Sequence, residues 1–147
     1  MMSPSIPALL SFYLQRPPQA IFRVTMIVPT QLTAFSNMPE KESRLLPNGR
    51  KRIEFMDTPK MSTYLLAFCV GEFDFLQTLT AHGVLIRVYT PPGKADEGMF
   101  ALECGKRALD FFDDFFGLPY PLPKLDMVAI PEFAMVYMCK HTSIYCI

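Results

Sequence analysis

The chain has 147 residues, half of them hydrophobic and 19% charged, a balance that suits a folded globular protein and is too apolar for a disordered one. That length allows one domain, or one and part of another. Fourteen Lys and Arg offset fourteen Asp and Glu, so no field of one sign draws in nucleic acid or an anionic membrane, and the longest apolar run, Tyr64 to Val70, is far short of the roughly 20 residues that cross a bilayer.

Apolar Ile6 to Leu14 has no positive charge before it and no clear small-residue cleavage site after it, so it is not read as a secretory signal. Residues 21 to 28 alternate with a period near two and predict a strand that Pro29 ends. Asn48-Gly49, a pair that tolerates positive φ, precedes the alternating Arg52-Ile53-Glu54-Phe55 and predicts a hairpin. Met61 to Leu76 predicts one long strand bent at Gly71. Thr80-Ala81-His82-Gly83 then supplies a turn and Val84 to Tyr89 another strand.

After Pro91-Pro92-Gly93 the period changes. Phe100, Cys104, Ala108, Phe111, Phe112 and Phe115 recur at spacings of three and four, which predicts an amphipathic helix over residues 95 to 116. Asp96 and Glu97 fall near its positive end and Gly117 just past its C-terminus. The run Leu118 to Pro123 cannot continue a helix, and residues 124 to 130 predict a further strand. Cys69, Cys104, Cys139 and Cys146 read as free thiols in a reducing compartment.

The residue types that carry chemistry are sparse. His82 and His141 are the two histidines, and neither is followed by the Glu-x-x-His that would set two imidazoles on one helix face. His82 reads as a solvated turn residue. Cys139, His141 and Cys146 match no common zinc spacing. The adjacent carboxylates Asp96-Glu97 and Asp113-Asp114 diverge by about 100° on a helix and read as a solvated face. Arg50-Lys51-Arg52 reads as an exposed hairpin tip, and Phe100, Phe111, Phe112, Phe115 and Phe116 read as packing residues, with more apolar surface than one short strand covers. Taken alone, these residues describe a scaffold without a catalytic, substrate-binding or metal-binding residue.

Three stretches together carry a resemblance: Met61 to Phe68 with Val70-Gly71-Glu72-Phe73-Asp74-Phe75, then Arg87-Val88-Tyr89-Thr90-Pro91, then Tyr120-Pro121-Leu122-Pro123-Lys124-Leu125-Asp126. Their order and separation resemble the gluzincin zinc aminopeptidases of the aminopeptidase N type, its puromycin-sensitive branch above all, over residues 19 to 134. The resemblance implies a mainly β fold with one long α-helix: part of a saddle-like β domain, then the opening helix and strand of a thermolysin-like α/β catalytic domain. It divides the chain into an unmatched segment 1–18, a partial N-terminal β domain 19–92, the start of the catalytic domain 93–134 and an unmatched tail 135–147.

What the resemblance implies about function is a cytoplasmic zinc enzyme that removes N-terminal residues from peptides. The family's Gly-Ala-Met-Glu-Asn motif does not follow Ala134, Glu132 does not stand for its Glu, and both chain ends read as foreign to an internal piece of such an enzyme. The expectation is therefore a fragment that binds no zinc, is inactive alone, and is marginally stable and prone to self-association through exposed apolar surface. A non-catalytic short isoform acting as a protein- or peptide-binding module is the alternative. Residues 1 to 17 and 135 to 147 are expected to pack poorly.

Overall fold

The change of period near Pro91 marks where strands give way to a helix and then to a parallel strand. The computed structural model describes residues 19–130 and the backbone of residues 144–146. In chain order the strands are β1 (Gln19–Ala20), β2 (Thr25–Pro29), β3 (Thr33–Ser36), β4 (Glu40–Leu46), β5 (Arg50–Phe55), β6 (Met61–Ser62), β7 (Phe68–Gly71), β8 (Asp74–Leu79) and β9 (Leu85–Thr90). A 3-10 turn (Ala95–Gly98) leads into helix α1 (Met99–Phe116), followed by β10 (Lys124–Val128) and β11 (Ile144–Cys146). The described chain is mainly β with one long helical stretch, as the sequence pattern predicts.

Strands β2, β5 and β4 form an antiparallel sheet in which Met26, Val28, Ile53 and Phe55 make one core cluster. Its β4–β5 hairpin turns at residues 47–49, with Leu46 opposite Arg50. Gly49 takes φ +69°, the left-handed conformation that a tight reversal requires and that a β-carbon disfavours. The predicted strand over residues 21 to 28 begins only at Thr25. Upstream of it, Phe22 and Val24 pair with the bend at residues 55–58: the Phe22 N–H donates to Thr58 Oγ1 (2.9 Å), and the Thr58 N–H donates to the Phe22 carbonyl (3.0 Å).

The long strand predicted over Met61 to Leu76 is three short ones: β7 ends at Gly71, the expected bend, before β8 begins, but a 3-10 turn at Thr63–Leu65 also parts β6 from β7. Asn37 is the physical reason. Its side chain, 3% exposed, donates to the Leu65 carbonyl (3.0 Å) and accepts from the Ala67 N–H (2.8 Å), while Ser36 Oγ donates to the Ala67 carbonyl (2.9 Å). Three backbone groups are thereby satisfied by side chains, so the turn is stable where a strand pattern was written. Beyond it β7 pairs antiparallel with β3, and β8 turns away to pair with β9.

The second sheet has the order β11-β10-β9-β8, with β8 and β9 antiparallel and β9, β10 and β11 parallel. A parallel neighbour needs a crossover, and α1 supplies it. Gly117 at φ +61° ends the helix in the left-handed conformation typical of a glycine cap. This sheet joins β8 and β9, before residue 92, to β10 and β11, after it. Ile144–Cys146, expected to pack poorly, continues the sheet beside Asp126 to Val128; residues 1–18, 131–143 and 147 lie outside the described residues.

The two faces of this sheet carry different cargo because strand side chains alternate. Ile86, Val88 and Leu125 face α1 and pack with Leu102, with Leu76, Leu109 and Met127 alongside. On the other face Tyr89 and Val128 pack with Phe35 of β3. Replacing Asn37 by Ala should leave the Leu65 carbonyl and the Ala67 N–H unpaired, at a cost of about 2–4 kcal/mol, read as a lowered urea midpoint at unchanged slope.

Candidate functional site

The residues singled out from sequence do not converge. His82 is exposed on the β8–β9 turn, and Asp96 and Glu97 are exposed in the 3-10 turn before α1. Cys139, His141 and Glu132 lie outside the described residues. Arg50 is exposed at the hairpin, whereas Lys51 and Arg52 are half-buried along β5, where Arg52 pairs with Glu54. Two readings are corrected. Phe100, Phe111, Phe112, Phe115 and Phe116 are all exposed, the covered side of α1 being made by Leu102, Ala101 and Leu109. Asp113, assigned to a solvated face, is buried: it stands eleven residues past Leu102, about three turns, and so projects on the same side.

What the fold does gather is a polar cluster that sequence reasoning missed. Lys124 and Asp126, two apart on β10, point to one face, where they are 2% and 0% exposed. The Lys124 ammonium donates to the Asp126 carboxylate and to the Ser36 carbonyl (2.6 Å), whose residue lies 88 positions earlier. Asp126 stands in register with Arg87 of β9. The Arg87 guanidinium donates to Gln77 Oε1 (3.2 Å) and to the Tyr89 hydroxyl (3.4 Å), and its Cζ lies 5.8 Å from the Phe75 ring centroid. Tyr89 stacks on Phe35 with centroids 3.9 Å apart and planes 8° from parallel, and Phe73 meets both rings edge-on. Lys124, Arg87, Tyr89, Lys51 and Phe55 line a cavity of about 200 Å³ between the two sheets.

The electrostatics follow from burial. Desolvation pulls the Lys124 ammonium below its usual range and lifts the Asp126 carboxyl above its own, and the mutual attraction of the pair opposes both. Burial, reinforced by the Asp126 charge, pushes the Tyr89 hydroxyl up to about 12. Such a cluster can hold two segments in register. Lys124 engages Oδ2 of its one carboxylate, Asp126, whose Oδ1 is buried without a hydrogen-bond partner among the described residues.

Two family models match the chain in sequence order: the Peptidase M1 N-terminal domain over residues 17–65 and the Peptidase family M1 domain over residues 100–145. The chain belongs to the M1 peptidase family. It is 50% identical over 117 residues to aminopeptidase M1 of Arabidopsis thaliana, covering 79% of this chain and 13% of that protein. Against puromycin-sensitive aminopeptidase of Caenorhabditis elegans it is 43% identical over 118 residues, 80% of this chain and 12% of the relative. Against aminopeptidase N of Mus musculus it is 43% identical over 119 residues, 78% of this chain and 12% of the relative. The chain thus spans about an eighth of the length of these M1 relatives.

M1 aminopeptidases are zinc enzymes, and a zinc site of this type takes two His and a carboxylate with one open position. The donors described here do not fit it. His82 stands alone at an exposed turn, and among the described residues no group of three or more His, Cys, Asp and Glu could hold a metal ion. The Lys124-Leu125-Asp126 stretch lies within the part matched by the M1 domain model, and its alternation places both charges inside.

Two measurements test the cluster. Lys124→Met should cost about 3–5 kcal/mol by leaving Asp126 buried without its counter-charge, and the double variant Lys124→Met with Asp126→Leu should recover most of that loss in urea unfolding. Tyr89 titrates near 10.0 when unfolded and near 12 when folded, so above pH 10 the unfolded chain gives up the proton first and stability falls as pH rises. The loss between pH 10 and 12 should reach roughly 2–3 kcal/mol, and Tyr89→Phe should remove that part of the slope.

Proposed function

We propose that this chain is a scaffold segment of a cytoplasmic zinc metalloaminopeptidase that removes N-terminal amino acids from peptides, and that the segment by itself neither holds zinc nor turns over substrate. The observation that carries the reading is the order of its parts. The stretch resembling the M1 N-terminal domain and the stretch resembling the M1 catalytic domain are joined in one chain, and Lys124 ties Ser36 of the first to Asp126 of the second. In this reading the metal ligands, the general base and the residues that grip the peptide's amino group belong to parts of such enzymes outside the matched eighth. When bound there, zinc supplies a Lewis acid and an activated water.

The cytoplasmic placement is supported by Cys104, a free thiol. No helix of the described residues is long and apolar enough to cross a membrane. Peptides are the proposed partners of the whole enzyme, and a formal net charge of zero argues against nucleic acid. The exposed phenylalanines of α1 favour a second reading, a non-catalytic product that works by binding other proteins.

The test is to express residues 1–147, supply zinc, measure bound metal and assay a fluorogenic aminoacyl amide beside the chelated protein. We expect no stoichiometric zinc and turnover no higher than the chelated control. One zinc per chain together with chelator-sensitive turnover would overturn the proposal.

A further inference from the structure

Helix α1 covers the sheet with Leu102 and Leu109, but among the described residues nothing covers its last turns in return. There Leu109, Phe112, Phe116, Leu118, Tyr120 and Pro121 wall an open groove of about 760 Å³. Phe116 and Leu118 are exposed, and the aromatic rings stack in two ladders along the helix, Phe111 on Phe115 and Phe112 on Phe116. A groove of this kind alone would accept any apolar cover.

Asp113 makes it selective. It lines the same groove, is 7% exposed, and its Oδ2 has no hydrogen-bond partner among the described residues. The ion pairs formed by the helical stretch, Lys94 with Glu97 and Arg107 with Glu103, lie elsewhere on it. A carboxylate oxygen removed from water without a partner is costly, and covering the groove with a purely apolar surface would deepen that cost. An ammonium or guanidinium on an apolar stem relieves it. The stem lies on the groove wall, the charge reaches Asp113, and the faces of Phe112 and Phe116 add cation–π attraction.

The local charge also selects against a second copy of this chain as the occupant. Residues 108 to 121 contain Asp110, Asp113 and Asp114 and no Lys or Arg, so apposing two such faces sets acid against acid. The complement of this surface is basic and apolar together.

We propose that the groove between the C-terminal turns of α1 and residues 118–121 is a docking site for a polypeptide segment that inserts one lysine or arginine side chain, flanked by apolar residues, toward Asp113. This goes beyond the scaffold reading, whose zinc and turnover measurements do not depend on it.

The experiment titrates the full chain with the blocked peptide acetyl-Leu-Leu-Lys-Leu-Phe-amide and with the same peptide carrying norleucine or glutamate in place of lysine, by calorimetry and by amide chemical shifts. The lysine peptide should bind at least tenfold more tightly than the norleucine peptide, with shifts centred on residues 109–121, and the glutamate peptide more weakly than either. Asp113→Asn should bring the lysine and norleucine affinities together, whereas Phe116→Ala should weaken both alike. Should Asp113→Asn not fold, the lysine preference of the unaltered chain must itself shrink as salt rises from 50 to 500 mM. Equal affinity for lysine and norleucine, no binding of the lysine peptide, or a dimer that already occupies the groove would overturn the proposal.

Discussion

One buried ammonium sets the register of the molecule. Lys124 reaches from β10 to the Ser36 carbonyl at the end of β3, and its charge is balanced by Asp126 two residues on. Placing two charges at 2% and 0% exposure costs several kcal/mol each in desolvation, and the cost is offset only when both partners and the carbonyl are in place. A slip of β10 by one residue would turn Lys124 and Asp126 toward α1 and Leu125 toward the polar cavity. The pair is therefore weak evidence of stability and stronger evidence of specificity, since it penalises every arrangement but one.

The apolar side of the same constraint is the Phe35–Tyr89 stack, to which Phe73 and Val128 add. Phe35 and Ser36 are neighbours on β3, so one strand contributes both the ring that meets Tyr89 of the β8–β11 sheet and the carbonyl that receives Lys124. Asn37 then completes the joint by holding Leu65 and Ala67. Three consecutive buried residues, Phe35, Ser36 and Asn37, thus do three kinds of work: dispersion, charge-assisted hydrogen bonding and backbone replacement. The fold's continuity from the β region into the β9–α1–β10 unit rests on this short stretch more than on the longer β4–β5 hairpin, which carries a core of its own.

Much of the architecture was legible because it obeys local rules. The shift from period two to period three and four located α1, Asn48-Gly49 located a hairpin, and Gly117 located a helix end, since each depends on backbone preferences that act over a few residues. The strand over Met61 to Leu76 was misread because its breaker is Asn37, some 30 residues away, whose hydrogen bonds leave no trace in the composition of residues 63 to 67. Hydrogen bonding between β9 and β10 joins strands on either side of the proline and glycine at residues 91 to 93, a pairing that spans about 40 residues and so leaves no local mark. The polar cluster was invisible for a related reason. Lys124-Leu125-Asp126 alternates like a strand with a solvated face, and only the arrival of β3 above that face turns solvent exposure into burial. Asp113 shows the same limit from the other side: adjacency to Asp114 reads as a solvated pair, whereas a spacing of about three turns from Leu102 sets Asp113 on the covered side.

The helix shows what such local rules leave open. Its apolar residues extend around more than half of its circumference, with Leu102 and Leu109 on one side and Phe100, Phe111 and Phe115 on another, but a single sheet face can cover only the first group. Burying a phenylalanine fully is worth about 1.5–3 kcal/mol, and rings left 60–79% exposed gain only a part of it, mostly from one another. The outer stripe therefore adds little stability, while the inner stripe and the three core clusters carry the fold. A sequence that writes apolar residues on both sides of a helix encodes two contacts, and the described residues satisfy one of them.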